Sequence, residues 1–272
     1  TMGSGIAAHL ANSNRQVVLL DLKGKEKSNQ ISENAINIIK KSDPPLLVER
    51  SRLEHIKPGN LEDDFDEIKD ADWVIEAVVE RIDIKHKLYS QIDKVRSPNS
   101  IISSNTSTIP LSILTQEMTD TMKADFCITH FFNPVRFMRL LEIVETPTMN
   151  KDKMSGLRDF CQNELGKGIV NCNDTPGFIG NRIGVYAMQV AMYEALERGL
   201  PVEIADALFG RPLGIPKTGV FGLYDLIGID LMKDVLASFK KELQENDPFM
   251  DVVAPHPLVE KLLEKGFNGN KG

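Results

Sequence analysis

The sequence has few cysteines, no long apolar run and no excess of positive charge. Its three cysteines, Cys127, Cys161 and Cys172, are odd in number and lie in apolar or mixed surroundings, which favours buried thiols in a reducing cytoplasm over a disulfide framework. No apolar stretch approaches the roughly 18 residues that span a bilayer, so no membrane helix is expected. The net charge of −7 argues against nucleic acid or an anionic membrane as a partner.

The composition is that of a folded protein. Hydrophobic residues make up 42% of the 272 residues, which is more than a disordered chain contains. The 19 glycines and 14 prolines are too few for a collagen-like or low-complexity chain. The length therefore suits one large domain or two smaller ones.

The first part of the chain alternates between helical and strand patterns. Small and apolar residues from Gly3 to Asn12 have helical spacing, and a polar helix is predicted from about Glu26 to Lys41. Short apolar runs predict strands at 16–21, 72–79, 100–104 and 124–129. Strands that alternate with helices indicate βαβ units and a parallel sheet.

The character of the sequence changes after residue 173. Helical patterns cover 178–198, 201–209, 224–241 and 257–265, and we find no convincing strand among them. We therefore predict an α/β domain over residues 1–173 and an all-helical domain over residues 174–272.

One acidic residue lies where a dinucleotide-binding domain places its ribose ligand. A GxGxxG loop sits before a helix so that glycine backbone and the helix N-terminus approach the pyrophosphate. If Gly3 is the last glycine of that loop and allows close helix–strand packing, Asp21 follows at the expected spacing, at the end of the second strand. Asp21 favours NAD over NADP, although Lys23 and Lys25 weaken this preference, and an Asp in this position is also a common turn residue.

Five motifs together resemble one known family. They are TMGSGIA (1–7), VIEAVVE (74–80), SNTS (104–107), HFFNP (130–134) with Glu142, and DTPGFIGNR (174–182). In this order, they are similar to the signature of the 3-hydroxyacyl-CoA dehydrogenase family over nearly the whole chain. The resemblance implies a Rossmann-like domain followed by a helical domain for dimerisation and substrate binding. It also implies NAD-dependent oxidation of (3S)-3-hydroxyacyl-CoA to 3-oxoacyl-CoA in fatty-acid β-oxidation.

The resemblance assigns a catalytic role to four residues. His130 matches the family's catalytic histidine, and an imidazole can accept the hydroxyl proton near neutral pH. Glu142, in an apolar run, would need a partner if buried, and His130 could supply one. Ser107 and Asn181 match polar contacts to the substrate oxygen. From the residues alone, His130 could equally be a core histidine, Glu142 a solvent-facing strand residue, Ser107 a turn residue and Asn181 a surface residue.

Further positions correspond to ligand contacts in the family. The cofactor contacts implied are Met2, Gly3, Asp21, Glu80, Lys85, Ser107, Asn133 and Lys271. Lys40 and Lys41, together with Ser107, are candidates for binding the CoA substrate, although lysines at a helix C-terminus also complement the helix dipole. No metal ligand is predicted.

The resemblance also implies a chain that is truncated at both ends. By comparison with the family pattern, the first strand of the Rossmann domain and part of the closing glycine-rich segment would be missing. The expected parent is a homodimer or part of a larger multifunctional β-oxidation protein in the cytoplasm. Two alternatives stay open: a catalytically inactive fragment of such an enzyme, and another two-domain NAD-dependent hydroxyacid dehydrogenase.

Overall fold

The computed structural model describes residues 2–214 and 217–270. These residues form two compact units, residues 1–174 and 175–272, and each unit is described separately below. The first unit is α/β and the second is helical, so the predicted fold class is confirmed.

The first unit contains seven strands within its described residues: β1 (Val17–Asp21), β2 (Ile56–Asn60), β3 (Trp73–Glu76), β4 (Ile101–Ser104), β5 (Phe126–Phe131), β6 (Leu140–Glu145) and β7 (Gly168–Asn171). The helices between them are α1 (Met2–Asn12), α2 (Gln30–Lys41), α3 (Ile82–Val95), α4 (Leu111–Leu114), α5 (Asp120–Lys123) and α6 (Lys151–Asp159). Short 3-10 and π turns complete the connections.

The strands form two sheets. β1 and β2 pair in parallel, and the larger sheet has the order β3-β4-β5-β6-β7. In the larger sheet every neighbouring pair is parallel except β5 and β6, which are antiparallel. The sequence pattern predicts only a parallel arrangement, so the reversal of β6 is a finding of the structure.

The reversal follows from the length of the connection. Only residues 132–139 separate β5 from β6. A parallel crossover needs about a dozen residues or more, usually including a helix, so a connection this short has to return the chain antiparallel. The next connection contains α6, and β7 is again parallel to its neighbour.

The core of the first unit lies between the sheets and the flanking helices. One face of α1 is buried through Ile6, Ala7, Ala8 and Ala11. These small side chains allow the helix to pack closely against β1, which explains why a short, alanine-rich helix is stable here. The β5 strand is buried along its full length, as expected for a central strand covered on both faces.

The second unit contains, within its described residues, the helices α7 (Gly180–Glu197), α8 (Val202–Leu208), α9 (Phe221–Ile227), α10 (Ile229–Glu242) and α11 (Pro257–Glu264). Its core includes the rings of Phe239 and Phe249, whose centroids lie 4.8 Å apart in an edge-to-face arrangement. The buried Gln189 amide donates to the carbonyl of Val252 at 2.6 Å, which ties α7 to the segment before α11.

Gly177 of the DTPGF motif has a structural role in the second unit. Its φ is +70°, a left-handed conformation, and a Cβ built there would lie 2.4 Å from the Phe239 ring. Both facts require glycine at this position.

Residues 2–214 and 217–270 include no helix that combines the length and apolar character needed to cross a membrane. The same residues include no group of three or more His, Cys, Asp or Glu side chains placed to hold a metal ion.

Candidate functional site

Polar side chains gather where β3, β4 and β5 end. Glu76 is the last residue of β3 and pairs in register with Ser104, the last residue of β4. Asn105 follows directly, and its side-chain oxygen accepts a hydrogen bond of 2.9 Å from the backbone N–H of Phe131 at the end of β5. In open α/β sheets ligands bind at this carboxyl edge.

His130 and Glu142 form a buried pair in the same sheet. They lie directly opposite each other on the antiparallel strands β5 and β6, so both side chains project from one face. The distance between His130 Nδ1 and the Glu142 carboxylate is 2.8 Å, and the Glu142 residue is 0% exposed. The Phe132 ring packs against the imidazole at a centroid distance of 4.4 Å.

This geometry suits general acid–base chemistry. A carboxylate that accepts the Nδ1 proton leaves Nε2 as the basic nitrogen of the neutral imidazole, and it stabilises the imidazolium once Nε2 is protonated. Glu142 is not the solvent-facing strand residue of the alternative interpretation, because it is fully buried.

Glu80 holds the loop that contains Ser107. One carboxylate oxygen of Glu80 accepts hydrogen bonds from the backbone N–H of Ser107 at 2.9 Å and from the Thr106 hydroxyl. Burial raises the pKa of the Glu80 carboxyl, but the Lys85 ammonium and the Thr106 hydroxyl outweigh it, so the net pKa lies below its ordinary value. Glu80 is therefore ionised at neutral pH.

Lys85 lies behind Glu80 and away from solvent. Its side chain is 1% exposed, and its ammonium contacts Glu76 at 2.7 Å and Glu80 at 3.0 Å. The structure thus brings together three of the residues expected from the resemblance, Glu80, Lys85 and Ser107.

Asp21 lies at the carboxyl end of β1, in the smaller sheet. Its carboxylate accepts a hydrogen bond of 2.7 Å from the N–H of Leu22. The nearby Lys23, which weakened the preference for NAD over NADP, pairs with Asp63 at 2.8 Å and with Glu62 at 3.6 Å. Two acidic neighbours thus already bind the Lys23 charge.

Met2 and Gly3 form the start of α1, where the first amide groups have no partner inside the helix. A Cβ at Gly3 would meet that of Ala77 at 3.7 Å, an ordinary contact, whereas a Cβ at Gly5 would meet Val135 at 3.1 Å. Close packing therefore constrains Gly5 more than Gly3, contrary to the sequence-based expectation.

The other expected residues lie on separate elements. Asn133 is exposed in the connection between β5 and β6, and Lys40 and Lys41 are exposed at the end of α2. Asn181 is the second residue of α7, in the second unit, and is half-buried. Lys271 lies outside the described residues.

Three residues of this region were missed by the sequence reasoning. Glu76 and Asn105 join the strand ends, and the Asp174 carboxylate accepts a hydrogen bond of 2.9 Å from the Ser112 N–H at the start of α4. The signal for Glu76 was available, because a carboxylate in an otherwise apolar strand is costly unless it has partners.

Comparison with known proteins defines the class. Residues 1–175 match the model of the 3-hydroxyacyl-CoA dehydrogenase NAD binding domain. Residues 177–272 match the model of the 3-hydroxyacyl-CoA dehydrogenase C-terminal domain. The fold and these matches define an oxidoreductase with an NAD-binding α/β domain followed by a helical domain.

Individual proteins agree with this class. The rat protein named hydroxyacyl-coenzyme A dehydrogenase, mitochondrial, is 32% identical over 99% of this chain and 85% of its own length. The crystal structure of FadB2 from M. tuberculosis has a TM-score of 0.83 at 26% identity, covering 99% of this chain and 92% of that one. The chain belongs to the 3-hydroxyacyl-CoA dehydrogenase family. The resemblance and the predicted NAD-binding domain are thereby confirmed.

Some relatives are much longer than this chain. A Rickettsia felis protein, whose name presents it as a candidate fatty acid oxidation complex trifunctional enzyme, is 42% identical over 100% of this chain. The chain spans only 38% of the length of that relative.

Proposed function

We propose that this protein oxidises (3S)-3-hydroxyacyl-CoA to 3-oxoacyl-CoA with NAD, as a step of fatty-acid β-oxidation. The observation that carries the proposal is the buried His130–Glu142 pair, 2.8 Å apart, in a chain of this family. Oxidation of a secondary alcohol needs a base for the hydroxyl proton, and this pair supplies one.

His130 accepts the proton of the substrate 3-hydroxyl through Nε2. Glu142 keeps the proton of the neutral ring on Nδ1 and stabilises the positive charge that the ring acquires. Because Glu142 is fully buried, its interaction with the imidazolium is weakly screened by solvent. The family resemblance assigns polar contacts with the substrate oxygen to Ser107 and to Asn181.

The residues at the carboxyl edge fit NAD chemically. The start of α1, with Met2 and Gly3, offers amide N–H groups to the pyrophosphate, and Asp21 offers a carboxylate to the ribose hydroxyls. Glu80, Lys85, Ser107, Asn133 and Lys271 complete the proposed set. When bound, NAD would supply the acceptor for the hydride that leaves C3 of the substrate.

The CoA moiety and the assembly are further parts of the proposal. Lys40 and Lys41 supply positive charge for the CoA phosphates. We assign NAD binding to residues 1–173, and substrate binding with assembly into a homodimer or a larger multifunctional protein to residues 174–272. Exposed apolar side chains on the second unit, among them Ile183, Leu213 and Leu226, support an assembly of this kind. The buried thiols of Cys127 and Cys161 support a reducing compartment such as the cytoplasm.

The test is the reverse reaction with acetoacetyl-CoA and NADH, followed by the absorbance of the reduced cofactor. We expect NADH oxidation with acetoacetyl-CoA and none with free acetoacetate, whereas a small hydroxyacid dehydrogenase would use the free acid. The His130→Gln variant should lose on the order of 100-fold in turnover. A folded protein that oxidises no NADH above background would contradict the proposal. Calorimetric titration with NAD then distinguishes a protein that binds the cofactor without turnover from one that does not bind it.

A further inference from the structure

A fully buried carboxylate at the end of β3, Glu76, has no part in the chemistry proposed above. One oxygen of Glu76 accepts hydrogen bonds from the Lys85 ammonium at 2.7 Å and from the Val78 N–H at 2.8 Å. The other accepts from the hydroxyls of Tyr89 and Ser104, each at 2.6 Å. A buried charge is tolerated only with partners of this kind, so the arrangement around Glu76 is specific and rigid.

Lys85 connects this buried carboxylate to the Ser107 loop. Its ammonium lies between Glu76 and Glu80, and Glu80 in turn accepts the backbone N–H of Ser107 at 2.9 Å and that of Thr108 at 3.4 Å. The path from the end of β3 to the Ser107 loop therefore consists of charge-assisted contacts, which are the stronger kind of hydrogen bond.

The burial of Lys85 bears on its role. A side chain that is 1% exposed and held by two carboxylates has its ammonium fixed between them. Loss of this ammonium would leave two carboxylates without their cation, one of them fully buried.

We propose that Glu76 and Lys85 are positioning residues that fix Glu80, and through it the loop of residues 106–108 that carries Ser107. In this arrangement Lys85 acts on the loop through Glu80, besides its proposed place in the NAD site. The proposal rests on the proposed function insofar as Ser107 contacts the substrate oxygen. The position of the loop itself can be measured without any ligand.

The ligand-free experiment is amide hydrogen exchange on the Lys85→Met variant. Methionine is unbranched like lysine but carries no charge, and Lys87→Met makes the same change at an exposed position of α3. We expect exchange across residues 105–109 to become about tenfold faster in Lys85→Met and to stay unchanged in Lys87→Met. Unchanged exchange in Lys85→Met would overturn the proposal.

The kinetic experiment is a double-mutant cycle between Lys85 and Ser107 with acetoacetyl-CoA and NADH. Misplacing a reacting group by about 1 Å can cost on the order of 100-fold, so Lys85→Met should reduce kcat by about 10- to 100-fold. If Lys85 acts through the loop, the kcat of the double variant Ser107→Ala/Lys85→Met should lie within about twofold of the kcat of Ser107→Ala alone. Losses that multiply would overturn the proposal, as would an unchanged kcat in Lys85→Met.

A second variant covers loss of folding. If Lys85→Met does not fold, Glu76→Gln/Lys85→Met removes both buried charges together and leaves neither unpaired. We expect this variant to fold, with fast exchange across residues 105–109 and reduced kcat, and normal values of both would overturn the proposal. An inactive wild-type protein would contradict the proposed function alone, because the exchange measurement does not depend on turnover.

Discussion

Replacing Glu142 by glutamine removes the charge of the buried pair with almost no change in side-chain volume. The carboxylate lies 2.8 Å from His130 Nδ1 and is shielded from solvent. A glutamine amide in the same place cannot stabilise an imidazolium by charge. If it presents its NH₂ group to Nδ1, it also favours the ring tautomer that protonates Nε2, the nitrogen required as the base.

The magnitude of the effect follows from the distance. At an effective dielectric constant of about 20, unit charges at this separation attract by about 6 kcal/mol, and desolvation of the pair offsets part of this energy. If about 2–4 kcal/mol of it stabilises the transition state, the expected loss in kcat is about 30- to 1,000-fold. The loss should appear mainly in kcat, because the charge on the imidazole develops during proton transfer.

The assay is NADH-dependent reduction of acetoacetyl-CoA by the Glu142→Gln variant, with circular dichroism to verify folding. Glu145→Gln is the matched control, since Glu145 lies on the same strand but is exposed and pairs with Arg158 at the surface. Its kcat should stay within about twofold of wild type. If Glu142→Gln folds and keeps more than a third of the wild-type kcat, the role assigned to the pair is incorrect.

Two further predictions concern stability. Gly177→Ala should lower the Tm more than Gly199→Ala, because both glycines have positive φ but only the Cβ at Gly177 would collide with Phe239. The difference between the two variants in free energy of unfolding should be about 1–3 kcal/mol. Equal Tm values would contradict this prediction. Burial lowers the pKa of Lys167 from 10.5 to about 8, so between these pH values the unfolded chain binds the proton that the folded chain has lost. The free energy of unfolding of the wild type should therefore rise relative to that of Lys167→Met as the pH increases from about 8 to 10.5. Urea unfolding at several pH values measures this difference. A parallel pH dependence of the two proteins would refute the prediction.

The sequence predicts the elements whose side-chain pattern is strong. Buried runs such as Ile101–Ser104 and the alanine-rich helix α1 are found where apolar periodicity indicates them. The strand β2 was not predicted because its sequence, IKPGN, contains proline and glycine, which disfavour a strand in the absence of tertiary pairing. Helix α2 begins at Gln30 and not near Glu26, since the chain first turns through a hydrogen bond between Gly24 and Ser28.

The candidate site was predicted only where residues had a recognisable motif. The motifs identified His130, Glu142, Glu80 and Ser107 as residues of interest, and the apolar surroundings of Glu142 indicated a pairing with His130. Nothing in the sequence indicated that Glu80 holds the Ser107 loop. The contacts depend on strand order and register, in particular on the reversed strand β6, and these are tertiary properties. Glu76 lies inside one of these motifs, but its partners Tyr89 and Ser104 are distant in sequence, so the motif does not indicate its contacts.

The antiparallel pairing of β5 and β6 separates the geometry of the His130–Glu142 pair from the length of the loop that joins the strands. The backbone ladder sets the distance between the two side chains, so the length of the connection beyond Asn133 does not determine it. A slip of one residue in the pairing would instead turn Glu142 to the opposite face of the sheet and separate the pair, although both residues would still be present. Descendants of this gene could therefore vary the length of the connection beyond Asn133 while keeping the His130–Glu142 pair intact.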